Sequence, residues 1–203
     1  MSSGGRTLTY LDLFRFRSLR KVSVFTSLAF FSTSIAYFVP NYKVDQFGFD
    51  FYFNGVFIFG TELVVAPIAL CLIQRLERRK FLIACSIVSL ICSLVMIPLD
   101  KSYICIHNCW TPRFDAEMIV FFILRFFSSF SFITMFIYCL ELFPTQVSLL
   151  AFSLLGIMLN LSNIFVPELI SIFNQLNWPV MGICAFASIL QIFAYLPLRE
   201  TLG

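Results

Sequence analysis

Long uninterrupted apolar runs, separated by short polar stretches, set the first constraint on this chain. A helix needs about 20 apolar residues, within a range of about 17–25, to cross the hydrocarbon of a bilayer. Six runs reach that length: 22–39, 51–73, 81–99, 118–140, 147–172 and 180–198. A transmembrane β-barrel would show short segments of alternating polarity instead. The runs are continuous, so the pattern predicts an all-α membrane protein with six transmembrane helices in one domain, residues 22–203.

Basic residues orient the spans, because loops on the cytosolic or matrix side carry an excess of Lys and Arg. Ten lie on one side: Arg6, Arg15, Arg17, Arg20, Lys21, Arg75, Arg78, Arg79, Lys80 and Arg199. Only Lys43, Lys101 and Arg113 fall on the other. Both termini are therefore expected on the positive-inside face. Ahead of the first span, Leu8, Leu11, Phe14 and Leu19 interleave with Arg15, Arg17, Arg20 and Lys21. That pattern suits a short amphipathic helix within 1–21, lying in the headgroup layer against anionic lipid, and equally suits ordinary basic flanking.

Turn residues fall between the runs. Pro40-Asn41 is expected to close the first span, and Pro98 and Pro112 bracket the longest loop. The fourth and fifth spans are joined only by Glu141-Leu142-Phe143-Pro144-Thr145, which predicts antiparallel neighbours.

Composition narrows the function. Hydrophobic residues make up 60% and charged residues 12%, against roughly 25% charged in a soluble domain. Lipid is the natural solvent, which excludes a soluble enzyme and a nucleic-acid-binding domain. The cysteines are too few and too deep in apolar runs for a disulfide framework. Cys105, His107 and Cys109 leave a tetrahedral metal site incomplete, and no nucleophile–base pair or phosphate loop appears. No metal, cofactor or enzymatic role is indicated. The 27 phenylalanines offer a broad polarisable surface to helices or acyl chains, though a nucleotide bias would give the same count.

An ionisable side chain at the bilayer centre costs at least roughly 2.5–3.5 kcal/mol and so faces protein or water. Glu62 in the second span and Arg125 in the fourth are of this kind. Both spans run inward from the charge-poor side, and the two residues differ in depth by only about 6 Å at 1.5 Å per residue. An intramembrane Glu62–Arg125 ion pair is expected if the helices are neighbours. Such a pair reads either as part of a substrate or proton pathway or as a buried staple fixing helix register. Glu168 is close enough to its span end to snorkel. Pro67 and Pro167 sit within spans, where a proline frees backbone carbonyls.

Four segments resemble the C-terminal half of an organic cation/anion/carnitine transporter, a branch of the major facilitator superfamily. Leu11-Asp12-Leu13-Phe14-Arg15 with Leu19-Arg20-Lys21 is similar to the stretch before that family's seventh helix. Gln74-Arg75-Leu76-Glu77-Arg78-Arg79-Lys80 resembles its Asp-Arg-x-Gly-Arg-Arg loop, Glu141-Leu142-Phe143-Pro144-Thr145 its Glu-Leu-Phe/Tyr-Pro-Thr signature, and Glu200-Thr201-Leu202-Gly203 its closing Glu-Thr-x-Gly. The resemblance spans essentially the whole chain, with each segment at the expected span boundary.

The resemblance implies half of a major facilitator bundle. It also implies an inner-face charge network of Arg75, Arg78, Arg79 and Glu141, with Glu141 paired to Arg78 or Arg79. Asn54, Asn160, Asn163 and Glu62 are implied on the face that lines the substrate cavity. Departures stand beside it: Gln74 and Glu77 replace the loop's Asp and Gly, Ser148 stands where an Arg follows Pro-Thr, and Asn160-Leu161-Ser162-Asn163 is neutral where the family often carries a charge. Transporters of this class rock one six-helix half against the other around a site at their interface. One half alone would present its polar wall to hydrocarbon, at a cost. The implied partners are therefore membrane lipids and another membrane protein or complex covering that wall. The favoured expectation is a transporter-derived, non-transporting structural subunit. The alternative is a half-transporter that pairs with a second half to move organic ions, and a third is a stretch of a longer transporter.

Overall fold

The computed structural model describes residues 17–44, 51–73, 77–102, 112–143 and 145–198. Among the described residues there are six helices and no strand: α1 Arg17–Val44, α2 Phe51–Ile73, α3 Arg78–Ser102, α4 Pro112–Leu142, α5 Thr145–Gln175 and α6 Met181–Tyr195. Stretches of α1, α3, α4 and α5 are long and apolar enough to cross a membrane, while Ile58–Leu72 of α2 and α6 itself are shorter apolar helices. Residues 1–16, which carry most of the expected interfacial segment, lie outside the described residues. Arg17, Arg20 and Lys21 belong to the start of α1.

Two boundaries differ from the expectation. Helix α1 continues through Pro40 to Val44, and α3 through Pro98 to Ser102. A proline removes one N–H from the helical ladder. One turn from a C-terminus that loss touches a single carbonyl, and neighbouring helices can supply other donors in a membrane. Pro112 opens α4, where the missing N–H would have had no helical acceptor anyway.

Helices α1, α3, α4 and α6 form the centre. The most extensive packing is α1 on α6, followed by α3 on α4 and α6, and α5 on α1. Helix α2 leans mainly on α4. Despite their tight link, α4 and α5 share only a modest contact, including Phe136 against Phe152 with ring centroids 5.8 Å apart. Helix α5 follows α1 because its buried stripe, Val147, Ala151 and Leu155, joins Ala29 and Phe30 in one core cluster. A second cluster lies toward the other end, with Ile35, Ala36, Val39, Phe121, Leu124, Met181 and Cys184. Between them the helices meet through hydroxyls, Thr33 with Tyr195 at 2.8 Å and Ser188 donating to Ser89 at 3.2 Å. Hydrocarbon gives helices no hydrophobic reason to associate, so close packing and such bonds do the work.

The end of α5 shows how local sequence sets a turn. Asn177 adopts a left-handed φ of 52°, which Asn tolerates better than most residues. The Trp178 N–H then bonds the Phe173 carbonyl at 2.9 Å and the Asn177 N–H that of Asn174 at 3.2 Å. This is the Schellman pattern, completed by an apolar contact across it, here the Phe173 and Trp178 rings at 5.7 Å. Pro179 follows and stops the helix.

Candidate functional site

Three helices place polar groups at one point inside the bundle. Tyr37 comes from α1, Glu62 from α2 and Arg125 from α4. Arg125 Nη2 donates to Glu62 Oε1 at 2.7 Å and Nη1 to the Tyr37 carbonyl at 3.0 Å. The Tyr37 hydroxyl donates to the same oxygen, Glu62 Oε1. The guanidinium carbon also sits 4.4 Å from the centroid of the Tyr37 ring, a cation–π contact that gains from exclusion of water. Tyr37 is held in turn by Phe132, stacked at 4.3 Å with 11° between the planes. Phe132 meets Phe136 edge-on at 5.1 Å and tilts against Phe30 at 5.8 Å.

The two ends of this ion pair are not equivalent. The Arg125 side chain is 0% exposed and that of Glu62 32%. A sealed guanidinium is stable only if its charge is matched and its donors find acceptors. The carboxylate is partly open on the face beside α2.

A second buried pair had no counterpart in the sequence reading. Lys43, counted there as a loop charge, lies in the last turn of α1, with its Nζ 3.4 Å from Glu117 Oε1 of α4. Both side chains are enclosed, at 3% and 2% exposure. The misplaced end of α1 at Pro40 hid it. The available signal was Glu117 itself, an acid immediately before the fourth apolar run. Glu117 and Arg125 are eight residues apart on α4, about 12 Å along its axis.

At the opposite end of α4, Arg78 of α3 forms an ion pair with Glu141. Arg79 does something else: its Nε and Nη2 donate to the Tyr195 and Leu196 carbonyls at 3.2 and 2.5 Å. Those carbonyls end α6, where a cation is favoured by the helix dipole. Lys80 pairs with Glu77 one turn away on the surface. Helix α4 is thus tied by ion pairs to α1, α2 and α3 in turn along its length.

The remaining sequence candidates are dispersed. Asn160 and Asn163 both lie exposed on α5, and Glu168 is exposed further along it. Arg75 and the Asn54 side chain lie outside the described residues, as do Cys105, His107 and Cys109. Among the described residues no group of three metal-ligating side chains converges.

A helical bundle with long apolar segments, tied internally by ion pairs, defines an integral, multi-pass membrane protein. The model of the family described as "Sugar (and other) transporter" matches residues 12–203, and the chain belongs to that family. It is 25% identical over 206 residues to solute carrier family 22 member 6 of Pseudopleuronectes americanus, covering 100% of this chain and 34% of that protein. It is 30% identical over 138 residues to organic anion transporter 3 of Oryctolagus cuniculus, covering 67% of this chain and 23% of the relative. The chain therefore spans about a third or less of the length of these curated relatives. Both are transporters rather than enzymes.

Proposed function

We propose that the chain forms one wall of the substrate path of an organic-ion transporter, with Glu62, Arg125 and Tyr37 at its centre. The observation that carries this reading is the contrast between the two buried ion pairs. A pair that only fixes helix register has no need to reach an outside partner, and Lys43–Glu117 is enclosed on both sides. The Arg125–Glu62 pair is sealed at the cation and open at the anion. A scaffold has no use for that asymmetry, whereas a path needs a charge that can trade partners. Similarity to the rabbit organic anion transporter supports the substrate class, an organic ion.

In this reading α2 and α6 also cross the membrane, giving six spans, and both termini lie on the positive-inside face. Arg78 and Glu141 brace the inner end. Asn54, Asn160 and Asn163 belong to a wall that lipids and a second membrane body cover. Saturable uptake of an aromatic carboxylate or a tetraalkylammonium ion into proteoliposomes tests the proposal, with Glu62→Gln abolishing uptake and the apolar double change Lys43→Met with Glu117→Leu retaining it. A second reading, a non-transporting subunit of a larger complex, is favoured by the outward exposure of α2 and α5. It is selected if the chain co-purifies stoichiometrically with another membrane protein and neither variant alters any flux.

A further inference from the structure

We propose that a small cluster of internal water molecules is bound on α4, held by Nε of Arg125 and the hydroxyls of Ser128 and Ser129. A guanidinium carries five N–H donors. Two of those on Arg125 go to the Tyr37 carbonyl and to Glu62. Its Nε, fully buried, has no hydrogen-bond partner among the described residues. Ser128 and Ser129 follow Arg125 by three and four residues, so they bracket it on the next turn, with Cβ atoms about 5–6 Å away. The two residues are 3% and 1% exposed, and among the described residues neither hydroxyl has a hydrogen-bond partner.

Several buried serines of other helices bond their own helix instead, although Ser23 of α1 is also unbonded. Ser86 donates to the Leu82 carbonyl at 2.8 Å, Ser93 to that of Ser89 at 2.7 Å and Ser188 to that of Cys184 at 2.9 Å. An unbonded polar group in an apolar interior costs stability, and on this stretch of α4 three such groups, one of them on a charged side chain, fall within four residues of one another. The occupant must be small, accept a bond from Nε and exchange bonds with two hydroxyls. An anion is disfavoured, because Glu62 already matches the Arg125 charge and a further negative charge would stand unbalanced in hydrocarbon. Water meets every requirement and commonly fills this role in protein interiors. Bound there, it keeps the guanidinium hydrogen-bonded on one side when Glu62 lets go on the other. The inference stands whether or not the chain moves a substrate.

Thermal melts of the full chain in detergent, in chloride and in gluconate buffer, test it. The double variant Ser128→Ala/Ser129→Ala is expected to melt about 4–8 °C below the unaltered chain in both salts, having lost bonds to the bound water. The control Ser93→Ala, which removes a hydroxyl bonded to its own helix, shifts the midpoint by less than half as much. A double variant that melts at or above the unaltered chain overturns the proposal, as does a control that falls equally far. A melting point that drops when gluconate replaces chloride, only in the unaltered chain, assigns the site to an anion and overturns water. Should the double variant not fold, a high-resolution map of the unaltered chain decides. Density within hydrogen-bond reach of Nε supports the site, and hydroxyls turned onto the Leu124 and Arg125 carbonyls with no such density contradict it.

Discussion

Arg125 and Glu62 are bonded at 2.7 Å, yet the two ends of that bond lie in different surroundings. The guanidinium is enclosed by α1 and α4, with the Tyr37 ring across it and the Tyr37 carbonyl beneath one nitrogen. The carboxylate stands at the edge of α2, partly open. Removing either partner therefore has unequal consequences. Arg125→Leu leaves a carboxylate that can still reach polar surroundings and the Tyr37 hydroxyl. Glu62→Gln leaves a sealed charge without its counter-ion.

Both single changes should destabilise the fold, by about 3–5 kcal/mol for the fully buried limit. Glu62→Gln should be the more damaging, and the double change to Gln and Leu milder than either. Denaturation midpoints in detergent check this as a double-mutant cycle. A double variant whose damage equals the sum of the two single losses would show that the two residues are not coupled.

The Lys43–Glu117 pair should behave as a staple. Lys43→Met alone strands a buried carboxylate and should cost several kcal/mol, about 3–5 at the limit. Lys43→Met with Glu117→Leu, which replaces the pair by apolar side chains of similar size, should restore most of the stability or exceed it. The same melts, with organic-ion uptake as a second readout, check that the apolar pair preserves activity.

Arg79 should matter to α6 and little elsewhere. Its two bonds cap the carbonyls of Tyr195 and Leu196, and a partly exposed cation there contributes about 0.3–1 kcal/mol through the dipole alone. Arg79→Gln should raise amide hydrogen exchange in the last turn of α6 while leaving α3 unchanged. Uniform acceleration across the bundle would contradict the local role.

At the α5–α6 corner, Asn177→Gly should be neutral or slightly stabilising, because glycine adopts a left-handed φ without steric penalty. Asn177→Val should cost about 1–2 kcal/mol, since a β-branched residue disfavours that backbone. Melting temperatures of the two variants separate the outcomes.

Much of this fold is legible in the chain because apolar runs report the length of a bilayer crossing directly. The Glu62–Arg125 meeting was legible for a related reason: charges are so rare inside such runs that two at similar depth invite pairing. Helix ends were harder. Proline reads as a stop, yet at Pro40 and Pro98 the helix continues, because one lost N–H near a C-terminus is tolerated. That error moved Lys43 from a buried helix turn into a loop and concealed its bond to Glu117. Arg79 illustrates a different gap: adjacent to Arg78, it looks equivalent in sequence, but successive helical positions point about 100° apart, so one reaches Glu141 and the other α6. The pairing of α5 with α1 rather than α4 depends on the whole bundle, which a five-residue link does not encode.

The unequal exposure of the two buried acids is the claim on which the functional reading rests, and thiol accessibility measures it directly. In a chain whose native cysteines are replaced by serine or alanine, Glu62→Cys and Glu117→Cys are each exposed in proteoliposomes to a charged, membrane-impermeant thiol reagent. Glu62→Cys is expected to react readily and to be slowed by an excess of a transported organic ion, while Glu117→Cys stays unreactive. Equal rates at the two positions, or a Glu62→Cys that reacts no faster than Glu117→Cys, would contradict the account.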